Sequence, residues 1–224
     1  LKVIFQNKND KKIIQKFCSL KNKDSIIING SGIDLNIYKP SEENHLSNKI
    51  LFASRLLKSK GIFEFVESAK EFKGENVDFI IAGKLDKDNP DCVPIDLIRN
   101  WESNGIINYV GYRKDMYRLI CQSRIVILPS YYGEGLPKIL IEAAACGVPV
   151  ITTDHPGCRD AIIPEITGLL VPIKNSKSLT NAISRLLENN DLCSIMGKSG
   201  RDMALNRYDI NDVVNKHMNI YSEL

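Results

Sequence analysis

Short apolar runs alternate with longer stretches of helical periodicity along most of the chain. The runs at residues 80–82 and 125–128 contain only apolar side chains, as strands do in a parallel sheet that helices cover on both faces. Residues 61–72 instead place Ile62, Phe65 and Val66 on one helical face. Strands that alternate with helices in this way predict right-handed βαβ units around a parallel sheet.

The predicted fold class is therefore α/β, a Rossmann-like doubly wound parallel sheet, and its ligand is expected outside the C-terminal ends of the strands. Residues 33–40 are expected to form an irregular crossing segment, and residues 41–48 to be polar and exposed. The predicted strands are residues 3–5, 25–29, 49–54, 77–82, 106–110, 124–128, 148–152 and 168–171. The predicted helices are residues 11–20, 61–72, 93–103, 114–121, 135–146, 178–188, 191–206 and 210–221.

Composition narrows the class of protein without defining its function. The 224 residues are 43% hydrophobic and 25% charged, as in a soluble globular domain. A net charge of +3 with 27 acidic residues interspersed does not suggest a nucleic-acid partner. The chain shows no apolar window long enough to span a bilayer. Its six cysteines form no CxxC pair, which predicts reduced, mostly buried thiols and a cytoplasmic location.

The loop after the strand at residues 49–54 carries the first candidate chemistry. Arg55 and Lys60 lie on it, and Gly61 opens the next helix. Two cations near a helix N-terminus suit a diphosphate, although a solvated basic loop would have the same sequence. Gly83 and Gly111 end two further strands, where glycine either admits a ligand close to the backbone or only makes the turn.

The segment after the strand at residues 124–128 is the most informative. Pro137 suits the first turn of the predicted helix, and Gly133 and Gly135 keep its approach bare of side chains. The N–H groups of Gly135, Leu136 and Lys138 would then face the mouth of the sheet and bind a phosphate or a sugar hydroxyl.

Two carboxylates flank this segment. Glu134 precedes the predicted helix and Glu142 lies within it, about 12 Å further along the axis. They are too far apart for an acid/base dyad and suit the two ends of one extended ligand. Glu142 lies among apolar neighbours and needs a partner, either a pair of ribose hydroxyls or a neighbouring basic residue.

This part of the chain reads Glu134, seven residues, Glu142 and then Gly147-Val148-Pro149-Val150. The pattern resembles the signature of the retaining GT-B glycosyltransferases of family 4, the group 1 transferases. Residues 29–34 look like the interdomain Asn-Gly-Val-Asp turn of that family. Further segments resemble those of the family and follow in the same order. They are the segments around Arg55 and Lys60, the glycines at 83 and 111, and Gly168–Val171. The resemblance runs from about residue 25 to the C-terminus and implies the C-terminal, donor-binding half of a GT-B fold.

The resemblance also implies roles for individual residues. Arg55 and Lys60 would neutralise the leaving diphosphate, the backbone near Gly111 would face the base, and Glu142 would hold the ribose. Glu134, with the backbone of Gly135, Leu136 and Pro137, would hold the donor sugar. Glu134, Arg55 and Lys60 are thus the expected catalytic residues. No metal or other cofactor would be required, since cations and a helix terminus stabilise the developing charge.

Residues 156–160 read Pro-Gly-Cys-Arg-Asp where the family often has Gly-Gly-x-x-Glu. This variant resembles the bacterial subgroup that builds capsule, O-antigen and lipid-linked oligosaccharides. It implies a uridine-diphosphate (UDP) sugar, a hexose or N-acetylhexosamine, as donor and a saccharide or undecaprenyl-linked acceptor. A run of lysines between Lys8 and Lys23 is either a solvated face or a surface for anionic lipid, consistent with a peripheral membrane location.

The domain division expected from the resemblance is residues 1–24 as a remnant of an N-terminal acceptor domain and residues 25–224 as the donor domain. Such a fragment is expected to bind nucleotide weakly and not to transfer sugar at a useful rate. Apolar residues of the last helix, such as Ile220 and Tyr221, would be exposed or would form a lattice or dimer contact. Two alternatives stay open: a GT-B nucleotide-sugar 2-epimerase, and a non-enzymatic binding subunit completed by another chain.

Overall fold

The computed structural model describes residues 2–41 and 47–223, so most of the segment expected to be exposed at residues 41–48 lies outside the described residues. The strands are β1 Val3–Phe5, β2 Ser25–Ile27, β3 Lys49–Ala53, β4 Asp78–Ala82, β5 Asn108–Gly111, β6 Ile125–Leu128, β7 Val150–Thr153 and β8 Gly168–Val171. The helices are α1 Lys8–Phe17, α2 Ile62–Glu71, α3 Ile95–Ser103, α4 Met116–Cys121, α5 Lys138–Ala145, α6 Ser176–Glu188, α7 Asn190–Arg207 and α8 Ile210–Ser222.

Six of these strands form one parallel sheet in the order β5-β4-β3-β6-β7-β8. Counted from β3, this is the order 3-2-1-4-5-6 of a doubly wound Rossmann sheet, which confirms the predicted fold class. The order reverses between β3 and β6, where Ile50 pairs with Ile125 and Phe52 with Ile127. Such a switch point opens a crevice beyond the C-terminal ends of the two strands, and the loops after β3 and β6 meet there.

The core explains why the apolar runs become strands. Residues Ile125–Leu128 of β6 are all buried, since helices cover the sheet on both faces. Beside them an aromatic cluster joins β3, β4 and α2, with the ring of Phe65 5.3 Å from that of Phe52 and 5.4 Å from that of Phe79. This packing fixes β3 and α2, and therefore the loop between them that carries Arg55 and Lys60.

A second, two-stranded parallel sheet consists of β1 and β2. The last helix, α8, packs against this part of the chain through a small cluster in which Ile28, Val213 and Ile220 are buried. The expectation that Ile220 is exposed is therefore wrong, because that side of α8 covers the small sheet. Tyr221 lies on the other side of α8 and is exposed, as expected.

Two predicted helix boundaries differ from the structure for local reasons. The helix predicted at residues 135–146 begins only at Lys138, with Pro137 as its N-cap rather than in its first turn. A proline disfavours the helical conformation in the residue before it, so Leu136 cannot extend the helix. The helix predicted at residues 11–20 begins at Lys8, because the side chain of Asn7 caps it by accepting the N–H of Asp10.

Candidate functional site

The loops after β3 and β6 are joined through one backbone carbonyl. The Ser59 carbonyl accepts the N–H groups of Tyr131 at 2.9 Å and Tyr132 at 3.1 Å. The oxygen of the buried Ser130 hydroxyl lies 3.3 Å from the same carbonyl oxygen. On its other side, the Ser59 N–H donates to the Asp91 carboxylate at 2.9 Å. These bonds hold the residue next to Lys60 against the loop that carries Glu134.

Lys60 and Glu134 form a direct ion pair in this crevice. The Lys60 ammonium contacts Glu134 Oε1, and both side chains are largely buried, at 9% and 14% exposure. The Ser130 hydroxyl donates to the same oxygen at 3.1 Å, and Lys60 lies over the ring of Tyr132, 4.7 Å from its centroid. The predicted diphosphate cation and the predicted sugar carboxylate are thus partners, and the sequence pattern does not indicate this pairing.

Arg55 is likewise held by a carboxylate. Its guanidinium donates to Asp86 Oδ2 at 2.9 Å, and the arginine side chain is 50% exposed. Together with Gly83, Lys84 and Tyr112, the two residues line an open cleft at the ends of β3, β4 and β5. Asp86 was not among the predicted site residues, since only the turn after β4 brings it to Arg55.

Glu142 lies beside this cleft. A cavity of about 220 Å³ is lined by Glu142 and Ile139 of α5 together with Arg55, Gly83 and Tyr112. The structure therefore brings together Arg55, Gly83 and Glu142, which the sequence places far apart. Because Gly135–Pro137 are not helical, the 12 Å separation derived for Glu134 and Glu142 from helix geometry does not apply.

The surroundings of Glu142 favour its neutral form. Burial raises the pKa of its carboxyl, and this effect outweighs the hydrogen bond from the Tyr38 hydroxyl and the charge of Lys138, which lower it. Lys138 Nζ lies 3.7 Å from the carboxylate and is itself mostly exposed, so it compensates the charge only in part. The same burial, with the neighbouring carboxylate, raises the pKa of Tyr38.

The two strand-end glycines differ in what they leave room for. A Cβ at Gly83 would lie 1.9 Å from the Ser54 carbonyl oxygen, so glycine is required there for the close packing of β3 and β4. Gly111 has a φ of +68°, and no atom of the described residues lies within 4 Å of where its Cβ would be. Gly83 therefore lets β3 and β4 pack closely, whereas Gly111 adopts a left-handed conformation and leaves open space at the end of β5.

The segment 133–137 packs against the start of the chain. A Cβ at Gly135 would lie 2.1 Å from Gln6 Oε1, and the Asn7 amide donates to the Gly135 carbonyl at 3.0 Å. The buried Leu136 lies next to Gly30, in the turn predicted to connect two domains. Among the residues that the structure describes, no side chain caps the N-terminus of α5. No pattern in the sequence indicates the contact from Gln6 and Asn7.

Within residues 2–41 and 47–223, no three His, Cys, Asp or Glu side chains come together as a group that could hold a metal ion. Three of the six cysteines, Cys121, Cys146 and Cys158, are buried. Cys158 lies beneath the site, where burial raises the pKa of its thiol to about 11. In the same described part of the chain, no helix is both long and apolar enough to cross a membrane.

The sequence profile of the family "Glycosyl transferases group 1" matches residues 35–203, and the chain belongs to this family. It is 32% identical over 234 aligned residues to N,N'-diacetylbacillosaminyl-diphospho-undecaprenol alpha-1,3-N-acetylgalactosaminyltransferase of Campylobacter jejuni, covering 99% of this chain and 60% of that protein. It is 27% identical to UDP-Gal:alpha-D-GlcNAc-diphosphoundecaprenol alpha-1,3-galactosyltransferase of Escherichia coli. That alignment covers 90% of this chain and 54% of the E. coli protein. The chain therefore spans little more than half the length of these relatives.

The solved structures it resembles share its fold. HepE of Anabaena, in complex with UDP, superposes with a TM-score of 0.87 at 18% identity and covers all of this chain and 64% of its own. Sucrose-phosphate synthase of Thermosynechococcus elongatus superposes with a TM-score of 0.86 at 22% identity. The superposition covers 99% of this chain and 57% of the synthase chain. These GT-B neighbours confirm the C-terminal half of a GT-B fold.

Proposed function

We propose that this chain is the donor-binding half of a retaining glycosyltransferase that transfers a hexose or N-acetylhexosamine from a UDP-sugar. The observation that carries the proposal is the convergence of Arg55, Gly83 and Glu142 on one cavity at the switch point of the sheet. A nucleoside diphosphate needs a cation for its phosphates and a carboxylate for its ribose hydroxyls. The names of the C. jejuni and E. coli relatives support the choice of donor and place both on diphospho-undecaprenol substrates.

In this proposal the cations stabilise the leaving group. When the bond between the sugar and the diphosphate breaks, negative charge grows on the diphosphate oxygens, and Arg55 and Lys60 are the cations at hand. Each is held by a carboxylate, Asp86 and Glu134 respectively, so the diphosphate must compete for it. Displaced from Lys60, Glu134 is free to accept hydrogen bonds from sugar hydroxyls, beside the uncapped N-terminus of α5. We expect no requirement for a metal ion.

The acceptor would be a saccharide or undecaprenyl-linked chain held by a second Rossmann unit, of which residues 1–24 would form a part. A two-stranded sheet separate from the six-stranded one supports a second unit, and its strand β2, Ser25–Ile27, extends that unit past residue 24. On α1, Ile13, Ile14 and Phe17 are exposed among several lysines, which suits either that unit or an anionic membrane surface. A retaining transfer would require both the donor-binding half and the acceptor-binding half. NMR of the product would then show the same anomeric configuration at the transferred sugar as in the UDP-sugar donor.

Calorimetric titration tests the donor assignment directly. UDP is expected to bind the chain more tightly than guanosine diphosphate, and chelation by EDTA is expected to leave its affinity unchanged. Four sugars should then be compared: UDP-N-acetylgalactosamine, UDP-N-acetylglucosamine, UDP-galactose and UDP-glucose. Binding of neither nucleotide, or equal binding of both, would contradict the proposal. Interconversion of a UDP-sugar at C2 would support the epimerase, and a co-purifying Rossmann protein the binding subunit.

A further inference from the structure

The turn between β1 and α1 reaches across the molecule to the loop that carries Glu134. Asn7 lies in this turn and is only 2% exposed. Its amide nitrogen donates to the Gly135 carbonyl at 3.0 Å and approaches the Glu134 carbonyl at 3.4 Å. These residues are more than 120 positions apart in sequence, so the contact ties the start of the chain to the proposed sugar site.

Helix capping accounts for the hydrogen bond of the Asn7 side-chain oxygen but not for those of its amide nitrogen. Its side-chain oxygen accepts the Asp10 N–H at 2.8 Å, which is the N-cap of α1. Its amide nitrogen has two hydrogens, and the two nearest acceptors are Asp10 Oδ2 at 2.8 Å and the Gly135 carbonyl at 3.0 Å. A serine or an aspartate caps a helix equally well but offers no N–H donor to the distant carbonyl.

The backbone that Asn7 contacts has little freedom on its other sides. A Cβ at Gly157 would lie 2.4 Å from the Glu134 carbonyl oxygen, so that glycine packs directly against the loop. Gln6 covers Gly135 from the side of β1. Asn7 therefore supplies a directed hydrogen bond to a segment that is packed closely between two parts of the chain.

We propose that Asn7 is a positioning residue for donor recognition: it fixes the Glu134–Gly135 backbone, and thereby the Glu134 carboxylate and the N–H groups after it that would hold the donor sugar. This inference rests on the proposed function. It assigns Asn7 to the sugar and not to the nucleotide, which Arg55 and Glu142 would bind. Its loss should therefore weaken recognition of the sugar while affinity for UDP itself stays the same.

The experiment compares the affinity of UDP with that of the four UDP-sugars named above, in the unchanged chain and in Asn7→Ser. The unchanged chain is expected to bind one UDP-sugar more tightly than UDP. In Asn7→Ser this preference should fall about threefold to tenfold, as expected for one lost hydrogen bond, while UDP affinity changes less than twofold. Asn7→Asp should lose more, because its carboxylate would face two carbonyl oxygens.

Asn175→Ser is the matched control, because Asn175 caps α6 through the Ser178 N–H at 2.9 Å and is exposed. It should leave both affinities unchanged. Any of three results would overturn the positioning role. The sugar preference could be preserved in both Asn7 variants, the affinities for UDP and for the UDP-sugar could fall equally, or both variants could fail to fold. An unchanged chain that binds UDP but no sugar more tightly would also overturn it. An unchanged chain that binds none of these ligands would instead refute the proposed function.

Discussion

At the scale of single residues, Arg55 is shared between Asp86 and the proposed diphosphate. The Arg55–Asp86 ion pair is half-exposed, so it contributes little to stability and is readily exchanged for a phosphate. Asp86→Asn should therefore leave the protein folded and tighten UDP binding by up to about fivefold, since the arginine no longer has to leave a carboxylate. Calorimetry at low and moderate salt measures this effect.

Asp88→Asn provides the control for that change. Asp88 lines the same cleft but is exposed, and its removal changes the net charge by the same amount. If both variants tighten binding equally, general electrostatic attraction explains the result. Competition for Arg55 would then be contradicted.

Glu142 lowers the stability of the folded protein at neutral pH but supplies the proposed contact to the ribose. Burial raises its folded-state pKa above the unfolded value, so the protein gains stability where the carboxyl is protonated and loses it as the pH rises through the folded pKa. Glu142→Gln should therefore raise the free energy of unfolding at pH 7 and flatten its dependence on pH as the pH rises above the usual pKa of a glutamate. It should also weaken UDP binding about tenfold or more. A lower stability at pH 7 in urea denaturation would contradict this account.

The sequence predicts which functional groups gather at the site better than it predicts their partners. Arg55, Glu134 and Glu142 could be placed because each follows or faces the end of a recognisable apolar strand. Asp86 and Asn7 could not, because their contacts depend on how a loop folds back on the sheet. Loop conformation is decided by packing between distant segments, which leaves no periodic signal in the chain.

At the scale of elements, the junction of β3 and α2 depends on Gly61. Gly61 has a φ of +80°, and a Cβ there would lie 2.2 Å from the carbonyl oxygen of Pro129, which follows β6. Gly61→Ala should therefore destabilise the protein by about 3 kcal/mol or more, because it adds a backbone clash to the strain of a left-handed alanine. Urea denaturation measures the change.

Gly74→Ala separates the two contributions. Gly74 also has a positive φ, of +93°, but nothing lies within 4 Å of where its Cβ would be. It should cost only about 1 kcal/mol, the strain alone. Equal losses in the two variants would contradict the view that close packing of the β3 and β6 loops holds the site together.

Element types follow from periodicity, whereas their ends follow from single residues. The apolar runs predicted β3, β4, β6 and β8 to within about one residue, because burial on both faces leaves no other conformation for them. The start of α5 was placed too early, since the glycines and Leu136 before Pro137 have no polar pattern that marks a boundary.

At the scale of the whole molecule, α8 connects the β1–β2 region to the rest of the chain. Val213 is buried beside Ile28 in that contact. Val213→Asp would bury an unpaired carboxylate, so residues 2–28 should become sensitive to limited proteolysis while the six-stranded sheet stays folded. Val214→Asp, on the exposed side of the same helix, should have no such effect. Equal sensitivity in the two variants would contradict this role of α8.

The most direct test of the central claim is the affinity of UDP for Arg55→Ala and Glu142→Ala, measured by calorimetry beside Arg185→Ala. Arg185 is a matched control, since it is 50% exposed like Arg55 and paired with Glu165 at 2.7 Å, far from the cleft in sequence. We expect a loss of about tenfold to a hundredfold in each site variant and none in the control. Unchanged UDP affinity in both site variants would place the nucleotide elsewhere and contradict the account.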